Sequence, residues 1–189
     1  MRIVGGQFRG RPLATPRHEG LRPTSDRVRE ALFNILAHGI ADFTIAGAKV
    51  MDLFAGTGAL GLEALSRGAS FCLFIDQDPE ARALIRRNIE VLGLAGVTRI
   101  FRRDATDLGP AGHRGGFSLV FLDPPYERGL GEKALASAAS GGWLRRGAVA
   151  VLEEQADVEV VLPEAFTVFD RRAWGDTQAV FARFAMPAG

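Results

Sequence analysis

The stretch Met51-Asp52-Leu53-Phe54-Ala55-Gly56-Thr57-Gly58-Ala59-Leu60-Gly61 decides the fold. An apolar run ends in a glycine turn and passes straight into a helix-forming segment. Gly56, Gly58 and Gly61 fall on G-x-G-x-x-G, a spacing that lets backbone approach a bound nucleoside where a side chain would collide. Twenty residues after Gly56, Asp76 ends the next apolar run, where a carboxylate can accept both ribose hydroxyls of an adenosine cofactor. Two cofactor classes satisfy this pattern. A dinucleotide would set its pyrophosphate on the helix amino terminus, whereas S-adenosyl-L-methionine would set its methionine moiety over the turn.

Working outward toward the carboxyl terminus, strands are expected at KVMDLF, FCLFID, TRIFRR, SLVFLD and AVAVLEE. They alternate with helices at about Leu60 to Ser66, Pro79 to Leu92 and Leu130 to Ser140, the rhythm of a parallel sheet covered on both faces. Pro79 suits a first helical turn, and Asp78 before it is favoured by the helix dipole. FTVFDRRAW and TQAVFARF, joined by Gly175-Asp176, read as an antiparallel pair at the sheet edge. The expected class is α/β, a Rossmann-like, mostly parallel sheet with an antiparallel C-terminal hairpin. Toward the amino terminus, RIVGGQFRG and RPLATP suggest a small hairpin and a loop ending near Leu21-Arg22-Pro23. A helix capped by Thr24 or Ser25 follows. Val28, Ala31, Leu32, Ile35 and Leu36 form its apolar face, and Gly39 stops it. Residues 1–40 therefore read as a hairpin-and-helix extension, and residues 41–189 as the main domain.

The chain has 189 residues, 47% of them hydrophobic, enough for one core without disulfides or structural metal. Cys72, the single cysteine, sits among Phe71, Leu73 and Phe74 and reads as a buried thiol in a reducing compartment. No apolar run is long enough for a membrane span and MRIVGGQFRGR has no signal-peptide core, so a cytoplasmic protein without membrane contact is expected. His18, His38 and His113 have no metal-site spacing, so no metal is expected. The net charge of +1 conceals an asymmetry. Residues 1–29 carry seven arginines against Glu19 and Asp26, a net +5 that leaves the remaining residues at −4. A basic leader on a mildly acidic body suits contact with a polyanion at one end, and equally a solvated arm.

Asp123-Pro124-Pro125-Tyr126 follows the fourth expected strand. Consecutive prolines remove two backbone donors and bend the chain, so the loop converges acceptors on one point. Such a point suits an exocyclic amine, with the Asp123 carboxylate and the Pro124 carbonyl each taking an N–H. Tyr126 offers a flat face for an unpaired base. Asp104, at the end of the third strand, either accepts from an adenine amine beside the Ala105 backbone or merely caps the next turn.

In this order, the glycine turn, Asp76, Asp104 and Asp123 to Tyr126 resemble the class I S-adenosyl-L-methionine-dependent amino-methyltransferases. More closely, MRIVGGQFRGRPL, GLRPTSDRVREALFNIL, DLFAGTGALGLEALSRGA, FLDPPY and the closing WGDTQAVFARF are similar to the RsmD family of bacterial 16S rRNA guanine-N2 methyltransferases. The resemblance implies methylation of the N2 of one guanine in 16S rRNA within a largely assembled small ribosomal subunit, S-adenosyl-L-homocysteine as the other product, and a monomeric enzyme. It implies that Phe54, Gly56, Gly58 and Gln77 line the cofactor, that Asp76 holds its ribose, that Asp104 and Ala105 face its adenine, and that Thr24 approaches it. It further implies that Asp123, Pro124, Pro125 and Tyr126 orient the guanine and that Arg9, Arg11, Arg22 and Arg27 contact RNA. Asp76 stands where some members have glutamate, which shortens the reach and keeps the role.

The tetrapeptide by itself does not separate guanine N2 from adenine N6 or cytosine N4, nor RNA from DNA. Residues 127 to 189 are consumed by the sheet's own elements, leaving little room for a duplex-reading region. Two other classes share part of the pattern. A nicotinamide-dependent oxidoreductase would leave Asp123 to Tyr126 unexplained, and a non-catalytic RNA-binding assembly module would bind RNA without regard to cofactor.

Overall fold

A computed structural model describes residues 1–16, 25–126 and 128–185. Seven strands, β1 (Lys49–Leu53), β2 (Phe71–Ile75), β3 (Thr98–Phe101), β4 (Phe117–Leu122), β5 (Leu144–Gln155), β6 (Phe166–Trp174) and β7 (Thr177–Phe184), form one sheet in the order β3-β2-β1-β4-β5-β7-β6. β1 to β5 pair in parallel, and β7 returns antiparallel between β5 and β6. The α/β class with an antiparallel C-terminal hairpin is thus as expected. β5 begins earlier than its apolar run suggested.

Strand order reverses between β1 and β4, the topological switch point at which open α/β sheets bind ligands beyond the carboxyl ends of their strands. Register sharpens this. Leu53 pairs with both Ile75 and Leu122, so Phe54, Asp76 and Asp123 leave the sheet at one level.

Alternation along the strands divides the core between two faces. One face packs Leu62 and Leu65 of α2 (Ala59–Ser66), Ile85 and Ile89 of α3 (Pro79–Leu92) and Leu32, Phe33 and Leu36 of α1 (Asp26–His38) against Val50, Phe74 and Phe121. The other packs Ala134, Leu135 and Ala138 of α4 (Leu130–Ser140) and Trp143 against Met51, Leu73 and Val120. Ser25 caps α1, its Oγ accepting from the Val28 amide at 3.2 Å, and Gly39 ends it. Asp78 caps α3, accepting from the Glu80 amide at 2.9 Å. Cys72 is buried, and burial pushes its thiol well up.

The small N-terminal hairpin is present: Arg2 bridges Pro12 antiparallel, Ile3 N–H donates to the Arg11 carbonyl (2.9 Å), Gly10 N–H to the Ile3 carbonyl (2.8 Å) and Leu13 N–H to the Met1 carbonyl (3.1 Å). Other donors of the same segment anchor it on the helices. Val4 N–H donates to Glu63 Oε2 (2.9 Å), Gln7 N–H to the Ser66 carbonyl (2.8 Å), Phe8 N–H to Ser66 Oγ (3.0 Å) and Ala14 N–H to Asn88 Oδ1 (2.7 Å). Ile3 and Leu13 enter the same core as α1. Arg29, counted with the basic leader, is fully buried. It donates to the Arg2 carbonyl and to Asp26 Oδ1 (2.7 Å) and faces Glu63, which also pairs with Arg67 at 2.8 Å. Its charge joins leader, α1 and α2 and is not offered to a polyanion.

Candidate active site

Around the glycine turn, Phe54, Gly56 and Gly58 all adopt positive φ (58°, 56° and 78°). A Cβ on Gly61 would stand 2.5 Å from a Phe74 ring carbon and 2.6 Å from Cys72 Sγ, so this glycine is required for packing α2 on β2. Gly58 at the start of α2 supplies no side-chain cap. The cap comes from the neighbouring strand. Asp52 on β1, fully buried, accepts from the Gly61 amide at 2.9 Å. Burial pushes its carboxyl well up, and the charges of Asp123 and Asp76 add to this.

Asp76 steadies the turn from below. Its Oδ2 accepts from the Gly56 amide and its Oδ1 from the Asp78 amide, both at 2.9 Å. A carboxylate has about four acceptor positions, so each oxygen keeps capacity for a ligand hydroxyl. Phe54, Asp76, Gln77, Asp104, Ala105 and Pro125 line one cleft of about 250 Å³. Six positions singled out in the sequence are thereby brought together. Asp104 Oδ1 accepts from the Thr106 hydroxyl (2.7 Å) and amide (2.8 Å), and Gln77 adds a further bond; the Thr106 hydroxyl first, then its amide, holds the carboxyl below its usual range. Asp104 therefore both caps its turn and lines the cleft.

At the chemical end, Pro125 joins the cleft to the Asp123–Tyr126 loop. The Asp123 carboxyl is pushed up to about 7, first by burial and then by the charge of Glu154. Tyr126 Oη lies 3.4 Å from Thr177 Oγ1, and burial of the ring raises its phenol. Glu153 and Glu154 are buried at the end of β5, and Gln178 on β7 donates to the carbonyls of Gln155 (2.8 Å) and Val158 (2.7 Å) beside them. Asp52, Glu154 and Thr177 were not among the residues expected at the site. The acidic end of AVAVLEE was the available signal for Glu154. Thr177 had none, because its position depends on antiparallel pairing of β7 with β5. Asp52 already occupies an α2 amide, and Asp76 leaves the sheet at the same edge, an arrangement poorly suited to a pyrophosphate on this helix terminus.

Over residues 1–183 the chain matches the family described as conserved hypothetical protein 95. It is 39% identical over 196 residues to ribosomal RNA small subunit methyltransferase D of Escherichia coli (strain K12), an alignment covering 95% of this chain and 94% of that one. This chain belongs to the RsmD family. The protein of the same name from Haemophilus influenzae is 34% identical over 177 residues, covering 93% of this chain and 89% of that one. Among solved structures, yhhF from Escherichia coli superimposes with a TM-score of 0.83 at 33% identity, covering 98% of both chains. TrmN from Thermus thermophilus shares the fold at a TM-score of 0.66 and 23% identity over 84% of this chain and 48% of its own.

For this RsmD-family chain the leader is placed as follows. Arg9 and Arg27 line one cleft of about 360 Å³ with Arg2, where Asp26 and Glu30 offset part of the charge. Arg11 is exposed outside that lining. Arg22 and Thr24 lie outside the described residues. The leader also touches the glycine turn: Thr57 Oγ1 donates to Met1 Sδ at 3.5 Å, and the buried Asn88 amide donates to the carbonyls of Thr57 (3.0 Å) and Ala14 (3.3 Å). Among the described residues, no His/Cys/Asp/Glu group suits a metal ion and no helix is long and apolar enough to cross a membrane.

Proposed function

We propose that this chain is an rRNA methyltransferase that transfers the methyl group of S-adenosyl-L-methionine to the exocyclic N2 of a guanine in 16S rRNA, acting on the small ribosomal subunit in the cytoplasm. One observation carries the reading. The strand register brings the Asp123–Pro124 segment, with its carboxyl group and proline carbonyl, to the same level as the glycine turn and Asp76, with Pro125 shared between loop and cleft. The relatives named as rRNA methyltransferases support the substrate class, and the guanine N2 assignment follows the family resemblance. A monomer suits the surface: the large exposed apolar side chains among the described residues stand apart in the chain, Val91 on α3, Val161 in the β5–β6 connection and Phe169 on β6.

The residues present fit the cofactor. Asp76 would take its ribose hydroxyls, Asp104 and the Ala105 backbone its adenine, Phe54 and Gln77 the cleft walls, and the Gly56–Gly58 backbone the methionine end. The cofactor supplies an electrophilic methyl group on a cationic sulfur, whose charge suits an edge bearing Asp52, Asp76 and Asp123. Asp123 and the Pro124 carbonyl hold the two N–H groups of the amine, so that its lone pair is aimed at the methyl carbon. The nitrogen becomes positive as it gains the new bond, so these acceptors bind more strongly in the transition state than in the ground state. The surplus proton then leaves through Asp123 or water. Tyr126 holds the base by its ring.

The test is transfer of labelled methyl from S-adenosyl-L-methionine to unmethylated small subunits, with deproteinised 16S rRNA in parallel, followed by nucleoside mass spectrometry. N2-methylguanosine is expected on the subunit. N6-methyladenosine, or methylation of DNA instead, would overturn the assignment of the acceptor. NADH binding without S-adenosyl-L-methionine binding would overturn the reaction class. RNA binding indifferent to cofactor and to Asp123→Ala would leave only a binding module.

A further inference from the structure

A second cavity, of about 520 Å³, lies away from the candidate active site on the face that carries α4. Side chains 71 and 73 of β2 alternate onto this face. Between β3 and β4 the chain supplies only loops and a three-residue 3₁₀ turn, Gly112–Arg114, so β2 and β3 receive no helix here. The floor is therefore apolar and open, built from Phe71, Leu73, Phe101 and Phe117, with the rings of Phe71 and Phe101 only partly buried.

The walls are basic. Lys49, Arg99 and Arg114 line the cavity and no carboxylate does. Lys49 is fixed: its Nζ donates to the carbonyls of Arg114 (2.9 Å) and Gly115 (2.7 Å) and stands 4.5 Å from the Phe117 ring centre. Arg99 and Arg114 are exposed, and Arg99 commits Nη1 to the Thr98 carbonyl (2.8 Å), which leaves other guanidinium donors available. Arg103, 5.6 Å from the Phe101 ring centre, also lines the nucleoside cleft, so basic side chains continue from one cavity to the other.

An apolar floor alone would suit many ligands. Cations without a counter-acid select an anion, and aromatic faces beside guanidinium groups select a flat ring carrying that anion. We propose that this cavity binds an unstacked ribonucleotide in a single-stranded segment of the RNA substrate, its base on Phe71 and its phosphates on Arg99 and Arg114. The inference rests on the rRNA-methyltransferase reading for its occupant. Lys49 opens β1 and Phe71 opens β2, so the cavity reaches about 15 Å along the strands from the level of Asp123. The nucleotide held here flanks the methyl acceptor and is not the acceptor itself.

The probe is a labelled single-stranded oligoribonucleotide, titrated against the full chain over a range of salt. Arg99→Gln with Arg114→Gln is expected to weaken binding at least tenfold and to lower the slope of log affinity against log salt by about 1.4. Phe71→Leu is expected to weaken binding about fivefold with the slope unchanged, because it removes a stacking face and no charge. Affinity for S-adenosyl-L-methionine should stay at the wild-type value in both variants, which shows that they fold. Wild-type affinity and slope in both variants would overturn the proposal. So would loss of subunit binding with oligoribonucleotide binding intact, which would assign the cavity to a protein of the subunit. Failure of the wild-type chain to methylate any RNA is a separate result and would count against the enzyme reading.

Discussion

In the proposed reaction Asp123 has both a role and a cost. Burial, with Glu154 beside it, raises its carboxyl to about 7, so near neutrality it is only part-ionised, yet holding an amine needs the acceptor-only form. Methyl transfer at subsaturating substrate should therefore rise with pH through about 7, the inflection of the Asp123 carboxyl. Asp123→Asn should lower the rate by about 100-fold or more and abolish that inflection while retaining cofactor binding. Stability moves the other way. A carboxyl raised in the folded state favours folding below its ordinary range near 3.8 and loses that contribution as pH rises toward 7. Asp123→Asn should thus melt above the wild type at pH 8, with the gap closing toward pH 4; an equal gap at both pH values would sink the argument. Gly61 is limited by space alone. Gly61→Ala must push Cβ into Phe74 and Cys72, an overpacking expected to cost about 1–3 kcal/mol in urea unfolding.

The leader and α3 act together as elements. Asn88 accepts from the Ala14 amide and donates to the Ala14 and Thr57 carbonyls, so one buried amide joins the leader, α3 and the glycine turn. Asn88→Ala leaves buried groups without these bonds and should cost about 1–3 kcal/mol. It should also speed amide exchange at Ala14 and weaken S-adenosyl-L-methionine binding in calorimetry. Lost stability with unchanged cofactor affinity would confine Asn88 to packing. At this scale the sequence was legible wherever the signal was local. Helical period, Pro79 and Gly39 placed helices, and largely apolar runs placed β1, β2 and β4. The small hairpin was legible from its glycines and short apolar pieces, whereas its anchoring on α2 and α3 was not, because those partners lie outside any window of neighbouring residues.

Across the whole molecule, charge is separated by function. The carboxyl edge of the sheet gathers Asp52, Asp76 and Asp123, whereas Arg9 and Arg27 share a cleft on the leader side and Arg99 and Arg114 flank the aromatic cavity. A polyanion is thus attracted around the site and a cation into it. Arg9→Gln with Arg27→Gln should reduce the salt dependence of subunit binding by up to about 1.8 in log–log slope, with S-adenosyl-L-methionine affinity unchanged. An unchanged slope would leave the leader a docking element without phosphate contacts.

The linear order of strand, glycine turn, acid and Asp-Pro-Pro-Tyr was enough to define the α/β class, the family and the loops that line the candidate site, because each signal spans a few residues whose backbone needs are intrinsic. The tertiary structure alone decided that Arg29 is buried with Asp26 and Glu63, that Asp52 caps α2 from a strand, that Glu154 charges the surroundings of Asp123, and that an open aromatic cavity lies on the α4 face. Those outcomes depend on partners brought together from distant parts of the chain, such as Ala14 and Asn88 at a separation of 74 residues. A residue's burial, pKa and hydrogen-bond partners come from its neighbours in space, and those neighbours exist only once the sheet has formed.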